Sequence, residues 1–451
     1  MVRHVAFICG NIGEEMTFTR LALPLDSFAP IEFEENGVLG RRSVLPGGIR
    51  VLSEKIPGQQ SVSVSFWIGA GSRDEAAGSE GSTHFLEHLL FKGTKKRSCA
   101  QISQLSDYLG GAVNAATARL YTCYYGRVFT ADLPLLLDLL TDMVTGATLD
   151  RAQMDVERGV ILEELRAAQD DAAEVTETAL LPLVLGDHPL SRPVGGTPQT
   201  VEALKHEHLL RHYRSNYNSR ELVITAAGDV DHDLLCGQVT DLLEAAGWNL
   251  GQGVLPAAPR RAADVEYRCG THSVIPHPGR QSAVVVGMPG LRLADRDETA
   301  AALFEIILGG GTSSRLFREI REKRGLAYSV YSWSLNWNEG GVFAMEAGCG
   351  AENTRQVADL MRNCLEELAQ NGVSEDELRS AVNQHRAQLV FAAETNGYRK
   401  NRLGYAELLR GEIMSVGESL RLAREVTADD IQRIAQNFAA HTPTVLWSSA
   451  E

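Results

Sequence analysis

The feature that most constrains this chain is a break followed by a restart. From Gly251 to Ala263 the sequence turns to Gly, Pro, Ala and Arg without apolar periodicity, which is the composition of a linker. Before it lies the strict alternation Ser61-Val62-Ser63-Val64-Ser65-Phe66-Trp67-Ile68, read as a half-buried strand with one apolar face. A glycine-rich turn, the triplet Arg73-Asp74-Glu75 and an apolar helix from Thr83 to Phe91 follow, with Thr83 placed to cap the helix and Gly93 to end it. Beyond the linker the order repeats as a strand from Ser282 to Met288, the triplet Arg296-Asp297-Glu298, and an apolar helix ending in glycines. Laying His84 to Thr94 over Ala302 to Thr312 aligns Glu87 with Glu305 and Gly93 with Gly311, whereas His84 and His88 fall on Ala302 and Ile306. The expectation is a duplicated domain in which only the first copy keeps its polar constellation.

Other segments fill in the class. Val44 to Leu52 reads as two apolar runs around a Pro46-Gly47-Gly48 turn, the start of a hairpin. Leu133 to Val144 and Asp155 to Ala168 read as helices, and Glu221 to Gly228 as a strand. Strands and helices alternating with antiparallel hairpins predict an α+β fold. The expected division is a loosely ordered lead-in over residues 1–40, a first domain over 41–250, the linker over 251–263 and a second domain over 264–451.

Composition narrows the function classes. The chain has 451 residues, 43 basic and 58 acidic, for a net charge of −15. With no basic run longer than Thr94-Lys95-Lys96-Arg97, a nucleic-acid binder is disfavoured and basic or neutral partners fit better. No stretch approaches the roughly 18 apolar residues that span a bilayer, and the Val5-Ala6-Phe7-Ile8-Cys9 run is too short for a signal sequence. Seven cysteines, far apart and without a CxxC pair, suit a reducing compartment. A soluble cytoplasmic protein with no membrane partner is expected.

Chemistry concentrates in His84-Phe85-Leu86-Glu87-His88. On a helix, positions four apart share a face, so the two imidazoles can point at one ion with Glu87 beside them. With 12 histidines in the chain, chance supplies this pattern about 0.02 times. A catalytic zinc takes about three protein ligands and leaves one position for water. The third ligand is sought in Glu157-Arg158-Gly159-Val160-Ile161-Leu162-Glu163-Glu164, where Glu157 and Glu164, seven apart, share a face and Glu163 does not. One of that pair could bind metal while the other orients a ligand histidine.

These residues resemble the inverted zinc-peptidase motif of the pitrilysin and insulysin family, in the short branch typified by mitochondrial processing peptidase and its bacterial relatives. The likeness runs from about Val44 to the C-terminal region. It implies two homologous α/β-sandwich domains forming half of a clamshell. It also implies one zinc per chain on His84, His88 and Glu164, with Glu87 as general base and Glu157 behind a ligand histidine. Asn114-Ala115 matches the segment that pairs with the substrate backbone as an added strand. Arg321 and Tyr328, within the segment from Leu316 to Ser329, match the family's arginine and tyrosine pair, which reaches the zinc site of the facing subunit. A dimer is implied, either a homodimer or a heterodimer with a zinc-less homologue. The chain departs from the family at Leu120, where relatives usually carry glutamate, which bears on substrate preference and on charge near the cleft.

The resulting expectation is a zinc endopeptidase acting on peptides or short unfolded segments. The alternative, a non-proteolytic scaffold subunit, has no chemical need for the intact set of His84, Glu87, His88 and Glu164. Two other features carry less. His208 and His212 are four apart but lack a carboxylate spaced to complete a site, and the loop Gly309-Gly310-Gly311-Thr312-Ser313-Ser314 lacks the Gly-Lys ending of a phosphate-binding loop.

Overall fold

The computed structural model describes residues 18–279 and 281–449. The Val5 to Cys9 run lies outside them. Two sheets organise the chain. The first orders its strands as Ile31–Glu35, Val38–Val44, Arg50–Lys55, Leu222–Gly228, Ser61–Ile68, Thr122–Phe129 and Asn114–Thr117. The second runs Ala327–Trp337, Gly340–Gly350, Gln281–Gly290, Thr444–Ser449 and His272–Pro276. Each sheet is antiparallel except for one parallel pair, Arg50–Lys55 with Leu222–Gly228 in the first and Thr444–Ser449 with His272–Pro276 in the second. With helices packed on both sheets, the fold is α+β and its two halves repeat one arrangement.

Local chemistry explains the hairpin at Pro46–Gly48. Gly47 and Gly48 both sit at φ +80°, a left-handed conformation that side chains with a Cβ avoid, and so reverse the chain between antiparallel strands. The lead-in expectation needs correcting. Within residues 20–40 the chain forms the strands Arg20–Ala22 and Ile31–Glu35 and begins Val38–Val44. The strand Arg20–Ala22 pairs with Glu412–Met414, almost 400 residues away, so local periodicity carries no trace of it.

The strand Ser61–Ile68 is also more buried than its alternation suggests, with only Ser61 partly exposed. Val62, Val64, Phe66 and Ile68 enter the main core of the first half. Ser65 and Trp67 face the other way and are covered too: Lys400 Nζ donates to Ser65 Oγ at 2.6 Å, and the Trp67 ring meets Tyr405 edge-on at 5.6 Å.

That cover comes from an exchange of helices. The helix Ala172–Leu185, from the first half of the chain, packs on the strands Gln281–Gly290 and Thr444–Ser449 of the second sheet, and its Leu180, Leu181, Val184 and Leu185 share a core with Val285, Ala344 and Leu446. In return, the helix Asn396–Tyr405 lies across Arg50–Lys55, Ser61–Ile68 and Leu222–Gly228, where Leu403 joins Leu52, Trp67 and Val223. Glycine allows both approaches: a Cβ on Gly287 would lie 2.5 Å from Leu180, and one on Gly404 would lie 2.4 Å from the Trp67 ring. A division of the chain at residues 251–263 therefore leaves one helix of each half on the other's sheet.

Buried ion pairs fasten the exchange. Arg42 donates twice to Glu407 at 2.8 Å, with both side chains fully buried. Arg399 and Arg402 converge on Glu54 at 2.9 and 2.7 Å, Arg402 also reaches Glu35 at 3.0 Å, and Arg73 pairs with Glu339 at 2.9 Å.

Candidate metal centre

The motif helix spans Ser82–Leu90. Phe85, Leu86, Leu89 and Leu90 anchor one face in the core, which leaves His84, Glu87 and His88 half-buried on the other. Thr83 does not cap it. The helix starts after Gly81, at φ +90°, and the carboxylate of Glu75 accepts the N–H groups of Gly81 at 2.9 Å and Thr83 at 2.7 Å. Because a carboxylate from outside satisfies these first donors, Thr83 lies inside the helix, and its hydroxyl faces His212 Nε2 at 3.2 Å. Burial pushes the Glu75 carboxyl up to about 7. The helix stops at Leu90, earlier than Gly93, with the Phe91 N–H closing its last turn.

A second helix, Arg151–Gln169, brings the carboxylates. Asp150 caps it by accepting from the N–H groups of Ala152 and Gln153 at 2.9 and 3.0 Å. Two turns apart on one face, Glu157 is buried and Glu164 is half exposed. Glu164 Oε2 lies 3.5 Å from His88 Nε2 and 3.9 Å from His84 Nε2. Among the described residues, His84, His88 and Glu164 are the one group whose ligand atoms gather closely enough to hold a metal, all within 4.8 Å of one another. Glu163 turns away and pairs with Arg166.

These residues fit a zinc ion. Ligands about 2.1 Å from a tetrahedral ion lie about 3.4 Å apart; the two Glu164 separations, 3.5 and 3.9 Å, are near that value, and the three ligand atoms all lie within 4.8 Å of one another. Burial, with His88 next to it, holds the His84 imidazole below the usual histidine range, which favours the neutral ligand form. His84 Nδ1 is buried without a hydrogen-bond partner, so the ring's polar contact depends on what its Nε2 meets. His88 is oriented from behind, its Nδ1 3.1 Å from Glu157 Oε2, and Glu157 Oε1 also pairs with Lys92 Nζ at 2.9 Å.

Glu87 shares the face of the histidines, and the Thr117 hydroxyl donates to its Oε2 at 2.5 Å. Thr117 ends the strand Asn114–Thr117, which forms the outer edge of the first sheet. Asn114 is exposed on that edge, its Oδ1 accepting from the Ala115 N–H at 2.9 Å, and Ala115 is buried. Glu75, Lys92 and Thr117 were not singled out in the sequence. Lys92 had a signal, since it follows His88 by four positions and so lies on the same face.

The remaining candidates lie elsewhere. Arg321 and Tyr328 meet each other on the second half: the guanidinium lies 4.9 Å from the Tyr328 ring centroid and donates to the Tyr328 carbonyl at 2.6 Å, while the tyrosine is 79% exposed. Among the described residues no hydrogen bond or ion pair joins either to the histidines. Leu120 is buried in the core between the halves with Leu180, Leu181 and Trp337. His212 is buried against Thr83, and His208 Nδ1 accepts from the Lys205 N–H, so this pair does not converge. The glycine loop is met by Gln384, which donates to the Gly310 carbonyl at 3.0 Å.

Residues 50–198 match the sequence family described as insulinase (peptidase family M16), and residues 203–385 match the peptidase M16 inactive domain. An uncharacterized zinc protease of Streptomyces coelicolor is 41% identical over 405 residues, which is 90% of this chain and 88% of its own. The chain belongs to peptidase family M16. A second M16 relative, an uncharacterized zinc protease of Mycobacterium tuberculosis, is 38% identical over 400 residues, covering 88% of this chain and 90% of that protein. The M16 fold recurs in a protease from Helicobacter pylori, with TM-score 0.83, 20% identity and coverage of 91% of this chain and 99% of that one. It recurs again in the M16 inactive domain protein of Pseudomonas fluorescens, at TM-score 0.82, 19% identity and coverage of 91% and 98%. The pitrilysin resemblance read from the motif is thus the family shown by comparison. No helix among the described residues is long and apolar enough to cross a membrane.

Proposed function

We propose that this M16 chain is a zinc-dependent endopeptidase that hydrolyses peptides or short unfolded segments. The observation that carries the proposal is the convergence of His84, His88 and Glu164 with a carboxylate, Glu87, on the same helical face. His84, His88 and Glu164 would hold one zinc per chain, and Glu157 would fix the ring of His88. Such an ion supplies Lewis acidity, lowering the pKa of water towards about 7 and polarising a carbonyl. Glu87 takes the proton as water attacks the scissile carbonyl, and delivers it to the leaving amine.

The free edge at Asn114-Ala115 would bind the substrate main chain as an added strand, giving affinity with little demand on sequence. Arg321 and Tyr328 would anchor substrate and stabilise oxyanion charge in the site of a facing subunit. Their mutual packing and the outward exposure of Tyr328 support that role. The working form would then be a dimer in the cytoplasm, and a homodimer suffices because each chain carries both halves of the apparatus.

Metal content and cleavage of a fluorogenic peptide, measured with and without chelator, test the proposal. The expected result is about one zinc per chain, chelator-sensitive turnover, and a Glu87→Gln variant that retains zinc and is inert. An inert, metal-free wild-type protein would favour the scaffold reading, and an active Glu87→Gln enzyme would remove Glu87 as the base.

A further inference from the structure

We infer that Thr117 is a positioning residue for the general base, fixing one oxygen of Glu87 so that the other is presented to water. The inference rests on the endopeptidase reading and extends it to a side chain outside the metal-binding motif. The Thr117 hydroxyl donates to Glu87 Oε2 at 2.5 Å, the short separation of a hydrogen bond to an ionised carboxylate. A carboxylate accepting on Oε2 keeps Oε1 as the oxygen that can take a proton. Without that donor, three rotatable bonds leave the group to wander or to turn towards the imidazoles on its own helix face.

The donor is well held. Two-residue alternation along Asn114–Thr117 points Ala115 and Thr117 to the same side of the sheet, where Ala115 packs in the core that includes Phe85 and Leu86 of the motif helix. Thr117 pairs with Thr122 on the neighbouring strand, and the next residue, Ala118, donates its N–H to the Tyr121 carbonyl at 2.9 Å. A β-branched side chain on such a backbone has few rotamers, so the hydroxyl is aimed before substrate arrives.

The duplication supplies an internal comparison. In the second half, Ser334 lies on the corresponding edge strand, Ala327–Trp337, and its hydroxyl donates to Glu305, the counterpart of Glu87. The fold therefore builds this hydroxyl–carboxylate bond twice, once beside two histidines and once where Ala302 and Ile306 stand in their places. Only the first copy has chemistry to serve. The strand that carries Thr117 is itself an edge strand of the first sheet, so a peptide added there lies on the element that steers the base.

The test compares Thr117→Val, Thr117→Ser, Ser334→Ala and Glu87→Gln with the wild-type zinc enzyme, measuring kcat, KM, zinc content and thermal midpoint. Thr117→Val is expected to lower kcat about 10- to 100-fold, the loss of one hydrogen bond to a charged group, with KM within about threefold and zinc content unchanged. Thr117→Ser should recover most of kcat, and Ser334→Ala should leave it unaltered. The inference is overturned if Thr117→Val keeps kcat within twofold, loses zinc, changes KM alone, or is matched in its loss by Thr117→Ser or Ser334→Ala. An active Glu87→Gln enzyme would instead defeat the assignment of the base itself, a separate result.

Discussion

Replacing Glu407 with leucine should weaken the junction between the halves by more than the removal of a surface ion pair would. Arg42 and Glu407 are both fully buried and joined by two hydrogen bonds of 2.8 Å. Arg42 Nη1 already lacks a partner, and Arg50, 1% exposed, feels both charges of the pair. Without Glu407, two buried guanidinium groups lose their shared counter-charge, a situation that costs about 3–5 kcal/mol. At a denaturant slope of about 3 kcal/mol per molar urea, the unfolding midpoint should fall by about 1–1.7 M. The double variant Arg42→Met/Glu407→Leu removes both charges and should recover most of that loss, since an apolar pair of similar volume often matches a buried ion pair. Urea unfolding followed by tryptophan fluorescence and far-UV circular dichroism provides the measurement. A single variant within about 1 kcal/mol of wild type, or a double variant less stable than the single, would refute the reasoning.

Metal binding and pH give further checks. His84→Ala and Glu164→Ala should abolish stoichiometric zinc binding while the circular dichroism stays native, whereas Glu157→Gln should weaken zinc affinity about 10- to 100-fold in a chelator competition. Equal affinities for Glu157→Gln and wild type would show that orientation of His88 does not matter. Glu346 is buried with Oε1 unpartnered, and burial, followed by the nearby Glu177 and Asp171, pushes its carboxyl up to about 7 from 4.5. Its native pKa lies above the unfolded one, so the stability it contributes is complete below about pH 4.5 and is lost as the pH rises through about 7. Glu346→Gln should therefore gain on wild type across that window, by roughly 3 kcal/mol at most, and then level off. A stability difference independent of pH would rule this out.

Much of the site was legible because its determinants are local. Spacings of three, four and seven residues on two helices set which side chains share a face, and the fold brings those two helices together. The central strand Ser61–Ile68 and the Pro46–Gly48 turn were visible for the same reason. What escaped depended on distant partners. Ser63, Ser65 and Trp67 look like a solvent face until the helix Asn396–Tyr405 is laid over them. Glu75 was noted only as part of a repeated triplet, because capping from outside the helix leaves no fixed spacing to search for. Thr117 needed the sheet order to be known before its hydroxyl could be placed beside Glu87.

The borrowed helices also have a consequence for biosynthesis. Once Gly228 has left the ribosome, the strands of the first sheet have all been made, yet the segment that shields Leu52, Trp67 and Val223 begins only at Asn396. At elongation rates of about 5–20 residues per second, the intervening stretch of about 170 residues takes on the order of 10–30 s to translate. Through that interval the nascent chain displays an apolar surface that only its own unfinished remainder can cover. Premature termination anywhere before Asn396 should therefore yield sticky, chaperone-bound fragments instead of a free-standing first half.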